Sequence, residues 1–114
     1  MFYIGYSDLH TARIFVAYSK NGIDNWKRSF NPIIKPENNK FDGKACYKPS
    51  AIYNIKDNKW MLWYNGRNNN KEFIGLALHN GSKIFKTGND IILSKISFFS
   101  AFSIIKRYSS LSTA

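Results

Sequence analysis

The sequence predicts an all-β chain, and three observations carry that prediction. Apolar residues gather in short runs rich in β-branched and aromatic side chains, turn-forming residues bound those runs, and part of the pattern recurs 60 residues further on. Aromatic residues make up 17% of the 114 positions, a load that a disordered chain does not carry. No convincing helical periodicity precedes residue 93.

The elements follow in order. Residues 2–6 and 14–18 read as strands, with Asn21-Gly22 marking a turn beyond them. Residues 51–55 and 60–65 are strands flanking Lys56-Asp57-Asn58-Lys59, a hairpin turn. Residues 66–70 are a loop by composition, and residues 73–78 form the next strand. Alternation places Trp60, Leu62 and Tyr64 on one face of their strand and Met61 and Trp63 on the other. Both faces are apolar, so this strand is expected to be covered on both sides.

Met1-Phe2-Tyr3 recurs as Met61-Leu62-Trp63, and Ile14-Phe15-Val16-Ala17 as Ile74-Gly75-Leu76-Ala77, each at an offset of 60. Asn21-Gly22 matches Asn80-Gly81 and Trp26-Lys27 matches Phe85-Lys86 at 59, and Ile33-Ile34 matches Ile91-Ile92 at 58. Strands kept while turns shorten would give this drift, so residues 1–34 are expected to be equivalent to 61–92. Short antiparallel strands repeating at this length fit the blade of a β-propeller, and residues 1–92 hold about two. A ring takes at least about four blades. The chain is therefore expected to be a fragment, truncated at its front, or to associate with other copies through exposed blade faces. Residues 93–114 match nothing earlier and read as a divergent tail outside the blades, with a weak amphipathic helix over residues 96–108.

Composition narrows the partners. Lys and Arg number 17 against 7 Asp and Glu, a net charge of +10. The lysines are scattered through turns and form no block, which argues against nucleic acid. Cys46 is the lone cysteine, and its spacing from His10 and His79 is not that of a metal site. No metal or cofactor is expected, and no glycine-rich phosphate loop is present. The apolar run at residues 96–105 is too short to span a bilayer, and no basic leader precedes an apolar stretch, so a cytoplasmic protein is expected.

Seven acids are available for chemistry. Asp24, Asp57 and Asp90 sit in turn contexts and Glu37 follows Lys35-Pro36 in a loop. Asp8, Asp42 and Glu72 remain, each at a strand end, as candidate catalytic carboxyl groups of a glycosidase-like site. Tyr47, Tyr64 and Trp63 are rings able to stack on sugars, although Trp63 reads better as core. Arg13 and Arg67 offer forked donors for hydroxyls or an anion, and His10 is a further sugar contact.

Several segments in order carry a resemblance: residues 2–6, His10-Thr11-Ala12-Arg13-Ile14, residues 19–26, and Asn31-Pro32-Ile33-Ile34. They continue with Ala45-Cys46-Tyr47-Lys48-Pro49, Trp60-Met61-Leu62-Trp63-Tyr64-Asn65-Gly66-Arg67 and Glu72-Phe73-Ile74-Gly75-Leu76-Ala77. The series resembles the five-bladed β-propeller glycosidases akin to glycoside hydrolase family 43, with kinship to the family 130 mannoside phosphorylases. The resemblance covers residues 1 to about 80. It implies a carbohydrate substrate and a central pocket to which Asp8, Asp42, Lys48, Arg67 and Glu72 contribute. Relatives carry an Asp directly before Ala-Cys-Tyr-Lys-Pro; here that position is Lys44. The expectation is a two-blade fragment of a five-bladed propeller glycosidase or phosphorylase, inactive alone. The alternatives are a carbohydrate-binding or self-assembling propeller module and, behind it, a basic nucleic-acid binder.

Overall fold

Strand-forming residues and short turns bounded by asparagine and glycine set the architecture. The computed structural model describes residues 1–6, 11–82 and 84, together with the backbone of residues 94–100. Seven strands appear: β1 (Phe2–Tyr6), β2 (Ala12–Tyr18), β3 (Lys27–Arg28), β4 (Ala45–Asn54), β5 (Lys59–Asn68), β6 (Lys71–Asn80) and β7 (Ser94–Ser100). No helix occurs among the described residues, and hence none long and apolar enough to cross a membrane. The strands form two antiparallel sheets in sequential order, β1-β2-β3 and β4-β5-β6-β7. The Ile14–Ile34 bridge adds Ile33-Ile34 to the first sheet, with Ile14 N donating to Ile34 O at 2.9 Å.

The hairpins are closed by residues that tolerate a left-handed backbone. Asn58 ends the β4–β5 turn at φ 49° and Asn69 opens the β5–β6 turn at φ 53°. Asparagine enters this region more readily than most side chains. The stretch read as a loop at residues 66–70 is mostly strand: only Asn69 and Asn70 turn, and Gly66, Arg67 and Asn68 continue β5. That extension carries Arg67 onto a sheet face.

One face of each sheet meets the other. Ile14 and Val16 from β2, with Ile33 and Ile34, pack with Cys46 from β4, Leu62 and Tyr64 from β5, Ala77 from β6, and Ile84. Phe2, Phe41, Ala51 and Trp60 close the margins, and the Phe2 and Trp60 rings meet edge to face at 5.6 Å. Each fully buried large aliphatic side chain contributes about 1.5–3 kcal/mol, so this shared core is what holds the sheets together.

The strand pairings can be set beside the repeat. Phe2 faces Val16 in the first sheet, and Leu62 faces Ala77 in the second. Placing Phe2 on Leu62 keeps the offset of 60 for β1 and β5 but carries Val16 onto Ala77, 61 residues on. The sequence match sets Val16 on Leu76, at an offset of 60. A one-residue slip exchanges the faces of a strand, and β6 is apolar on both faces, so hydrophobicity alone did not define its register. The comparison beyond Ile84 falls on residues outside those described.

The tail also differs from expectation. Residues 94–100 pair with β6 as the fourth strand of the second sheet, where the sequence suggested a divergent segment with a weak helix. Phe98 and Phe99 with the β-branched Ile96 suit a strand better than a helix. Residues 101–114 lie outside the described residues.

Candidate functional site

Directly paired residues share a sheet face, and alternate residues along a strand share it too. Leu62, Tyr64 and Gly66 on β5 point to the core side. Asn65 and Arg67 therefore point away from the first sheet. Tyr47 pairs with Asn65, and Glu72 pairs with Arg67, so all four stand on the outer face, at the end nearest the Asn69-Asn70 turn. Trp63, half-buried, lies next along the same face.

Neutral donors organise the carboxylate. The Tyr47 hydroxyl donates to Glu72 Oε1, and Asn65 Nδ2 donates to Glu72 Oε2 at 3.1 Å. The Tyr47 bond is the largest influence holding the Glu72 carboxyl below its ordinary range; Asn65 and the charges of Lys48 and Arg67 add to it. Tyr47 moves the opposite way. Desolvation, then its bond to Glu72, raises the phenol. Glu72 is thus an ionised acceptor at neutral pH, suited to binding hydroxyl groups and unsuited to donating a proton.

Lys48 enters through a backbone irregularity. The β4–β5 register slips between Tyr47 and Ser50, and Lys48 within that bulge has φ 52°. Among the described residues, the other non-glycine residues at positive φ are all asparagines: Asn25, Asn39, Asn58 and Asn69. Lys48 Nζ lies 5.6 Å from the centroid of the Tyr47 ring, within cation–π range. On Arg67, Nε is a buried atom with no hydrogen-bond partner among the described residues.

Asp42 is elsewhere. It is fully buried on the core side of the sheet, where Tyr64 OH donates to Asp42 Oδ2 at 2.8 Å and Cys46 Sγ donates to the same oxygen at 3.5 Å. Burial, followed by the neighbouring Asp42, drives the Tyr64 phenol far above its ordinary value, so it stays a donor. A Cβ on Gly66 would lie 2.7 Å from Asp42 Cβ. The sheet therefore stands between Asp42 and Glu72.

Of the expected site residues, the fold brings Tyr47, Lys48, Arg67 and Glu72 together. It separates Asp42 from them, and it sets Arg13 on the face of the first sheet turned away from the second, opposite Gly5. Asp8 and His10 lie outside the described residues. Asp24 and Asp57 are bonded within turns, Asp24 Oδ1 accepting from Asn21 Nδ2 at 2.8 Å and Asp57 Oδ2 from Asn54 Nδ2 at 3.1 Å. Asn65 is the participant that sequence reasoning did not name, whereas Tyr64, read as a ring able to stack on sugars, is instead buried on the core side beside Asp42. Asn65 was recoverable from period two, since it precedes Arg67 by two residues. Among the described residues, no group of three or more His, Cys, Asp or Glu side chains is placed to hold a metal ion.

A separate cavity of about 410 Å³ opens where the two sheets meet, lined by Phe2, Val16, Trp60, Ser82 and Ile84 among others. Its walls are largely apolar, and Trp60 Nε1 is already committed to Ser82 O at 2.8 Å. None of the candidate residues faces it.

Comparison with family models, with curated proteins and with solved structures returns no match.

Proposed function

We propose that this chain forms blades of a carbohydrate-processing β-propeller, and that alone it binds carbohydrate without cleaving it. The observation that carries the reading is the Glu72 carboxylate, held ionised by Tyr47 and Asn65 on an open sheet face beside Trp63. Sugar recognition combines acceptors and donors for hydroxyl groups with an aromatic wall, and this face offers all three. Four sequential antiparallel strands in the second sheet match the strand count of a propeller blade. Apolar side chains that remain partly exposed on its outer face away from that site, Met61 and Leu78 with Ile52 beside them, suit a surface made for a neighbouring blade.

The test is a titration of the isotopically labelled chain with a panel of methyl glycosides, followed by amide chemical shifts. Saturable shifts at Tyr47, Asn65 and Trp63 are expected, and Glu72→Gln should weaken them about tenfold, as loss of a charge-assisted hydrogen bond does. No saturable shift with any glycoside would refute the reading.

A further inference from the structure

The Glu72 cluster holds more positive charge than its carboxylate needs. Both oxygens of Glu72 are taken by neutral donors, Tyr47 and Asn65. Arg67 and Lys48 act on Glu72 through charge and contribute to keeping it ionised. Two cations against one carboxylate leave an unbalanced charge of +1 on this patch. Arg67 Nε is buried without a partner among the described residues, so part of the guanidinium is desolvated with no bond in return. Lys48 is held in a left-handed conformation that L side chains rarely adopt, at a bulge that re-aims it. Backbone strain of this kind is retained where a side chain must be placed for a purpose.

We infer that this site takes a carboxylated sugar, such as a uronide. The ligand's carboxylate would sit against the Arg67 fork and Lys48, while its hydroxyls bond to Glu72 and its ring lies against Trp63. A monoanion cancels the unbalanced charge, whereas a phosphate dianion overshoots it. A planar carboxylate also matches the two parallel N–H bonds that a guanidinium presents. The inference rests on the carbohydrate-binding reading above and names the class of sugar.

The experiment titrates the full chain with methyl β-glucuronide, methyl β-glucoside, glucose 6-phosphate and sodium acetate at fixed ionic strength. The uronide is expected to bind about tenfold tighter than the glucoside. In Arg67→Gln and in Lys48→Gln that ratio should fall towards one. The two variants guard against a loss caused by misfolding, since Lys48 is exposed and its removal relieves no buried contact. Equal affinity for uronide and glucoside overturns the acidic-sugar inference and leaves the carbohydrate reading standing. No binding of either sugar overturns both. Tighter binding of the phosphate than of the uronide, or acetate binding as tightly as the uronide, overturns the inference in favour of a general anion site.

Discussion

At the residue scale, one hydroxyl governs the candidate carboxylate. Tyr47 lowers the Glu72 carboxyl through a hydrogen bond, and Glu72 raises the Tyr47 phenol in return. A carboxyl lowered in the folded state adds stability above its ordinary value and loses it as pH falls through the lowered one. A phenol raised in the folded state adds stability below its ordinary value and loses it as pH rises through the raised one. The pair therefore stabilises the fold across the neutral range and weakens it at both extremes, modestly, because Glu72 is exposed. Tyr47→Phe should move the Glu72 titration up towards the ordinary carboxylate range, read from its side-chain carboxyl carbon shift against pH. An unchanged midpoint would mean that Asn65 and the cations suffice. Glu72 was legible as an acid at a strand end, Tyr47 as a ring able to stack on a sugar and Arg67 as a forked donor. Asp42 was misplaced because a residue in a loop has no period to assign its face: it follows Phe41 inward over Gly66 instead of outward to the open side.

At the element scale, the hairpins were readable and their registers were not. β1 has the bounds the sequence suggests, since a run of aromatic and aliphatic residues ends at Ser7-Asp8. β5 and β6 run further than expected because Asn69-Asn70 alone makes the turn, and three consecutive asparagines after a glycine resembled a longer loop. The register of β6 is set by contacts distant in sequence. Phe41 packs over both Gly66 and Gly75, and Tyr64 also covers Gly75, where an added Cβ would come within 2.7 Å of each ring. These glycines are seats for side chains from the loop before β4, which hydrophobic periodicity does not record. Gly66→Ala should therefore cost about 1–3 kcal/mol, the range for overpacking a filled core, because the Asp42 Cβ at 2.7 Å cannot swing aside as the end of a flexible chain would. A urea midpoint equal to that of the parent chain would show that the loop yields instead.

At the scale of the whole molecule, the placement of acids decides what the chain can catalyse. Glycoside cleavage sets two carboxyl groups about 5–9.5 Å apart with the scissile bond between them. Asp42 lies sealed against Tyr64 and Cys46 on the core side of the second sheet, and Glu72 stands on the outer side. A substrate cannot lie between them, because the backbone of the sheet does. Glu72 is also kept ionised, which suits a nucleophile or a base and leaves the acid role unfilled. The chain is accordingly expected to release no aglycone from a panel of aryl glycosides, with or without phosphate, beyond the rate of its own Glu72→Gln variant. Turnover that disappears in Glu72→Gln and survives in Asp42→Asn would overturn this expectation while leaving the geometry of the sheet intact. Turnover lost in both Asp8→Asn and Glu72→Gln would identify Asp8, which lies outside the described residues, as the second carboxyl.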